Sequence, residues 1–196
     1  IGSFTTHDEV SPILLKGPVF SDMMIWLNAT LPVNSYFVDG FQTGDDYLYR
    51  KGNKLAESTN TDDDMYFTHR GKIDIFNLSR KPGGKYDELR NDFLLANNVK
   101  KSVLPVLNEG TFTPLKTNNQ KVFAYMFANN IKKVITIGNL DFDHSTKVTV
   151  KVPKFNPKKQ NLLPIKISTM PDSKNGRVML NLNPGETVVI IIHELL

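Results

Sequence analysis

The chain changes texture near residue 105. Beyond Pro105 the segments "TFTPL", "KVFAYMFA", "KKVITIGNL", "TKVTVKV", "NLLPIKIS", "RVMLNL" and "ETVVIII" follow one another. They are short and rich in β-branched and aromatic residues, the side chains that suit a pleated, half-buried surface. Asn-Asn, Asp-His-Ser, Asn-Pro-Lys, Ser-Lys-Asn-Gly and Asn-Pro-Gly stand between them. Residues of these types make turns by tolerating positive φ, by fixing φ, or by bonding their own backbone. Short strands at regular spacing with turns between them predict an antiparallel sandwich of about seven or eight strands. "TKVTVKV" alternates strictly, so one of its faces should meet water.

The residues before Pro105 read differently. Ser21-Asp22 is placed to cap a helix through "MMIWLNA", apolar on most faces and therefore expected to be buried, Trp26 included. Pro32 lies beyond its end. "SYFVDG" reads as a short buried strand ended by Gly40. A polar stretch over 42–84 follows, whose "ESTNTDDD" and "RKPGG" favour loop. Within it "KIDIFNL" reads as a strand or an extended packing segment.

The next segment, "KYDELRNDFLLANNVKKSVL", is the clearest helix. Tyr86, Leu89, Phe93 and Ala96 recur on one face, opposite Glu88, Arg90 and Asn97. Lys100 and Lys101 fall at its expected end, where cations suit the helix dipole.

Two strands cannot make a sheet that covers two helices. The layout matches the last quarter of a (β/α)8 barrel, a fold of ~250 residues. The expected fold class is therefore an α+β fragment. The last strands and helices of a (β/α)8 barrel would occupy 1–105, and an all-β antiparallel sandwich 106–196. On this reading Met23, Ile25, Trp26 and Phe93 are short of partners, which predicts self-association or cover from an upstream barrel fragment. Ile1 in place of Met, with no leader-like segment, predicts a piece of a longer protein.

Composition narrows the chemistry. Hydrophobic residues make up 40% of the chain, enough for a sizeable core. No apolar run nears the ~20 residues of a membrane-spanning helix, so no membrane partner is expected. There is no Cys, which excludes disulfides, thiol catalysis and Cys-ligated zinc and fits the cytoplasm. The net charge of +4 comes from scattered pairs such as Lys100-Lys101, Lys132-Lys133 and Lys158-Lys159. No basic run is interleaved with aromatics, so nucleic acid is not an expected partner.

Asn60, Asp62 and Asp64 offer alternating oxygens, but no Gly and no distant Glu complete a calcium loop. His69, His144 and His193 lack ligand spacing. Neither a metal nor a cofactor is expected. The Asn-x-Ser/Thr triplets at Asn28 and Asn77 read as chance matches.

One short stretch carries chemistry. "SFTTHDE" ends an apparent strand with His7 and Asp8 side by side. In a (β/α)8 barrel, reacting groups sit where strands run into the following loop. There a carboxylate can accept from sugar hydroxyls, and an imidazole can donate or accept. On the residues alone, a plain loop start explains the pair as well.

"SFTTHDEV" resembles the fourth conserved region of the α-amylase family of glycoside hydrolases. "LPVNSYFVDGFQTGD" is similar to that family's eighth strand and the turn after it. "YDELRNDFLLANNVKKSVLPVLNEGTFTPL" resembles its eighth helix leading into a C-terminal β domain, with Gly110-Thr111-Phe112 as the Gly-x-Phe opening. "VFAYMFANNIKKVITIGNL" and "LNLNPGETVVIII" resemble the middle and last strands of that domain. The likeness spans nearly the whole chain in order. It departs at Glu9, where many amylases carry Asn or Gln, and at Asp39-Gly40, which lacks the usual Gly-Asp/Glu-Glu turn.

The resemblance implies a retaining enzyme acting on α-glucans or their oligosaccharides, a hydrolase or a transglucosidase. It assigns Asp8 as the carboxylate that stabilises the transition state and His7 as a hydroxyl-binding neighbour. The family's nucleophile and general acid lie on earlier strands, upstream of Ile1, so the isolated chain should be inactive. Two other readings stay open. A non-catalytic carbohydrate-binding or interaction module would need exposed aromatics in line, from among Phe112, Phe123, Tyr125, Phe127, Phe142 and Phe155. A purely structural sandwich would have no use for "THDE". Phe123, Tyr125 and Phe127 share one strand face by period two, and a core face explains them most simply.

Overall fold

The computed structural model describes residues 2–3, 12–37, 40–44, 86–156, 160–174 and 176–194. The chain falls into two compact units, Ile1–Asn28 with Val33–Leu95 and Ala29–Pro32 with Ala96–Leu196. It is a mixed helix–strand structure whose larger sheets are antiparallel. Among the described residues no helix is long and apolar enough to cross a membrane.

The first unit begins with strand β1 (Gly2–Ser3), followed by helix α1 (Pro12–Thr30) and strand β2 (Ser35–Tyr36). β1 and β2 pair in parallel, Gly2 with Ser35 and Ser3 with Tyr36. Parallel strands need a crossover, and α1 supplies it. A 3-10 turn (Phe41–Thr43) comes after β2.

α1 does not start at Ser21. It kinks at Lys16 and Gly17, where Gly17 has φ 75°, and resumes at Pro18. Proline suits the first position of a helix because the N–H it lacks has no partner there and its φ is already helical. Ser21 consequently lies inside the helix, fully buried, and caps nothing. Met23, Met24, Ile25, Trp26, Asn28, Ala29 and Thr30 are buried too, so this stretch is apolar and enclosed on most sides. Met23, Ile25 and Trp26 are thus not short of partners. Among the described residues of the unit, Leu14, Leu15, Val19, Tyr36, Leu94 and Leu95 are exposed.

β2 is shorter than the sequence suggested, and its side chains are exposed rather than buried. The burial falls just after it. Phe37 stacks on Phe41 at 5.0 Å between ring centres and meets Phe93 edge-on at 5.1 Å.

Helix α2 (Asp87–Glu109) carries Asp87 and Glu88 in its first turn, the favourable sign for the helix dipole. Leu89, Ala96, Val99, Val103, Val106 and Leu107 are buried, an i+3/i+4 stripe. Glu88 and Arg90 are exposed. The helix runs eight residues past Lys101 because Pro105 lies within it and does not end it. A proline there removes one N–H and frees the carbonyl of Lys101. Both residues are exposed, so water can serve that carbonyl.

Gly110 closes the helix, its N–H donating to Val106 O at 2.9 Å. A Cβ at this position would lie 2.3 Å from Val106 O and 2.9 Å from Ala128 O, both backbone atoms, so only glycine fits.

Eight strands follow: β3 (Thr111–Pro114), β4 (Val122–Ala128), β5 (Lys132–Asn139), β6 (Thr146–Lys151), β7 (Gln160–Lys166), β8 (Asp172–Lys174), β9 (Arg177–Leu182) and β10 (Thr187–Glu194). They form a five-stranded sheet, β3-β4-β5-β10-β7, and a three-stranded sheet, β6-β9-β8, with every pairing antiparallel. One cluster holds the inward side chains of both sheets, among them Ile135, Ile137, Val148, Val150, Val178, Leu182, Ile190 and Ile192.

The run "VVIII" is apolar without alternation because β10 is an inner strand buried on both faces, Val188 and Ile190 on one and Val189 and Ile191 on the other. Pro164 lies in β7, an edge strand, the place where a missing N–H costs least. The register slips beside it, between Val189 and Ile190. Asp172–Lys174, part of which the sequence suggests as turn, forms strand β8. It pairs with β9 across a two-residue connection, 175–176.

Candidate functional site

His7 and Asp8, the pair singled out in the sequence, lie outside the described residues, as do Asp39, Asn60, Asp62, Asp64, His69 and Asn77. The frame beside them is described. β1 and β2 run in the same direction and so end at the same edge. In sequence, Asp8 follows the end of β1 by five residues and Asp39 follows the end of β2 by three.

The chain around β2 is held firmly. Ser35 Oγ donates to the side-chain Oδ1 of Asn28 on α1. Asn28 is buried as well, so its Asn-x-Thr triplet offers no site for a glycan. Beyond β2 the 3-10 turn is closed by Thr43, whose N–H and Oγ1 both donate to Gly40 O, at 3.2 and 3.1 Å. Gly44 follows at φ 65°, and a Cβ there would lie 2.5 Å from the Tyr86 ring. Phe37, Phe41 and Phe93 complete the support. Rings and hydrogen bonds together hold Phe37 and the turn 40–44.

The second unit has two polar features besides its sheets. Asp141 collects donors at the end of β5. Lys121 Nζ lies 2.6 Å from Oδ2, and the backbone N–H groups of Asp143 and His144 donate to Oδ1 at 3.0 and 3.1 Å. His144 Nδ1 stands 3.3 Å away. The Lys121 ammonium, and then the Asp143 N–H, hold this carboxyl well below the usual range, while Asp141 raises Lys121. Beneath it, buried Asn139 donates through Nδ2 to His144 O and Asn183 O and accepts from the Asp141 N–H. This is a turn lock. Its signal was the Asn, Asp and His of "NLDFDH", types that bond the backbone of their own loop.

The other feature is Tyr125. Its hydroxyl is 2.7 Å from Thr30 Oγ1, and burial pushes its phenol up from the ordinary value. Tyr125 and Phe127 are buried, but on the face of β4 opposite the cluster shared by the two sheets, which takes Val122, Ala124 and Met126. Of the aromatic ladder, Phe112 is half exposed. Among the described residues no group of three His, Asp or Glu side chains is placed to hold a metal.

No family model matches the sequence, and no curated protein does. Solved structures do match. The trehalose-6-phosphate hydrolase TreA of Bacillus licheniformis superposes with a TM-score of 0.63 at 14% identity, over 97% of this chain and 42% of that one. The chain has the fold of part of an α-amylase-family glycoside hydrolase. An Anoxybacillus α-amylase gives a TM-score of 0.66 at 14% identity, over 98% of this chain and 37% of that one. AmyP E221Q, solved with maltotriose, gives 0.60 at 15% identity over 94% and 39%. The chain therefore spans about two fifths of the length of these α-amylase-family enzymes. The order of elements that the sequence suggested, helices first and antiparallel sheets after, is the order this fold has here.

Proposed function

We propose that this chain is the C-terminal part of an α-amylase-family glycosidase or transglucosidase that acts on α-glucans or their oligosaccharides. The residues up to the end of α2 complete the catalytic (β/α)8 barrel, and the strands from Thr111 onward form the β-sandwich that follows it. The observation that carries this is the fold likeness over 97% of the chain, with "THDE" following a strand that pairs in parallel with β2.

Asp8 accepts hydrogen bonds from ring hydroxyls of the sugar at the cleavage point. These bonds strengthen as the ring flattens and gains positive charge, so they lower the barrier more than they tighten ground-state binding. His7 holds a hydroxyl beside it. Double displacement also needs a nucleophile and a general acid about 5–5.5 Å apart. Both come from other strands of the whole enzyme, whose barrel also covers Leu14, Leu15, Leu94 and Leu95.

The test is turnover of maltooligosaccharides by the complete enzyme and by the purified 196-residue chain. The complete enzyme should cleave or transfer α-linked glucosyl units with retention, and the chain alone should do neither. Turnover by the chain alone, or an inverted product, would overturn the proposal.

A further inference from the structure

The outer face of the three-stranded sheet carries an unusual charge pattern. Val148, Val150, Val178, Leu180 and Leu182 turn into the shared cluster, which leaves Lys147, Thr149, Lys151, Arg177, Met179 and Asn181 on the opposite face. Residues directly opposite each other in a ladder share a face. Arg177 stands opposite Lys151 on β6 and opposite Lys174 on β8. Three cations therefore form one row across three strands, with neighbouring strands about 4.8 Å apart. Lys147 lies further along β6 on the same face.

All four cations are exposed. None has an ion pair or a side-chain hydrogen bond among the described residues. Asp172, opposite Met179, is the only carboxylate on the face among the described residues of these strands. Four cations less one carboxylate leave +3, against +4 for the whole chain.

Like charges directly opposite on neighbouring strands are destabilising. Lysines on edge strands are common, because they block edge-to-edge pairing. That accounts for Lys147 and Lys151 on β6 and for Lys174 on β8. It does not account for Arg177, which is on the central strand β9 between two lysines.

We propose that this face docks a linear anionic polysaccharide, a chain with one acidic group per sugar residue. Such a chain carries carboxylates along its whole length, opposite in charge to the row Lys151, Arg177 and Lys174 and to Lys147 beside it. Single-stranded nucleic acid fits less well, because it needs aromatic platforms for its bases. The outer positions of these strands hold Thr149, Met179 and Asn181 instead. The docking face goes beyond the catalytic reading and does not depend on Asp8.

The test is binding of the 196-residue chain to polygalacturonate, measured by calorimetry across a salt series. Its fully methyl-esterified form, an oligothymidylate and phosphatidylserine vesicles serve as comparison ligands. Polygalacturonate should bind, and the esterified form should not. The triple variant Lys151→Ser, Lys174→Ser, Arg177→Ser should weaken binding at least about tenfold and make its salt dependence shallower by roughly two to three charges. A charge-matched variant, Arg90→Ser, Lys101→Ser, Lys116→Ser, should stay within about twofold of the unsubstituted chain. The proposal is overturned by equal losses in both variants, by no binding of polygalacturonate, or by tighter binding of the oligothymidylate or the vesicles.

Discussion

Gly110 shows how far one residue can determine a junction. It ends α2 and begins β3 within a single step, and the carbonyls of Val106 and Ala128 both occupy the space a side chain would need. Backbone atoms cannot swing aside as a flexible side chain can. Gly110→Ala should therefore destabilise the chain by about 2–3 kcal/mol, read as a fall in the urea midpoint at unchanged slope. An unchanged midpoint would mean that the junction relaxes freely.

Asp141 is the clearest electrostatic case. Its folded carboxyl is held below the ordinary range, so its contribution is fully present above about pH 4, the unfolded value. The contribution is lost as pH falls through the lower folded value. Asp141→Asn should lower Tm at neutral pH, and the gap to the unsubstituted chain should close as the medium is acidified below about pH 4. A gap that persists in strong acid would assign the effect to the amide's altered hydrogen bonds and not to charge.

At the scale of elements, much was legible where the side-chain pattern is governed by one packed face. Val148 and Val150 alternate with exposed Lys147 and Lys151, and β6 is where that alternation predicts a strand. Leu89, Ala96 and the residues after them keep a helical stripe, and α2 is there. The misses lie where a local signal competes with packing. Pro105 reads as a helix breaker, yet the buried stripe continues through Val106 and Leu107 and holds the helix together. Ser21-Asp22 reads as a cap, yet Pro18 after Gly17 starts the regular helix earlier. Asp172–Lys174 has no apolar residue to mark a strand, and pairing with β9 alone makes it one.

The account of Pro105 is testable. Because the residue is exposed, Pro105→Ala loses no packing and regains a backbone donor. An interior proline costs about 3 kcal/mol relative to alanine, so the substitution should raise the urea midpoint by some fraction of that. A lower midpoint would show that the proline's own shape is needed there.

At the scale of the whole molecule, the fold and the chemistry were legible to different degrees. The order of motifs along the chain pointed to the α-amylase family, and the fold likeness extends over nearly all of it at 11–17% identity. The proposed site is legible only as a motif, "THDE", whose His7 and Asp8 lie outside the described residues. The support around β2, with Phe37, Phe41, Phe93 and Tyr86 about its turn, had no sequence signature because it joins residues about fifty positions apart.

In the proposed function Asp8 acts on the transition state of glycosyl transfer. The most direct test compares kcat and KM of the complete enzyme and its Asp8→Asn variant on a maltooligosaccharide. Asparagine keeps the shape and removes the charge. The variant's kcat should fall by ~10²–10³ while KM changes little, because the lost interaction belongs mainly to the transition state. A near-normal kcat, or a loss confined to KM, would mean that "SFTTHDE" is a loop start and that Asp8 takes no part in the transition state.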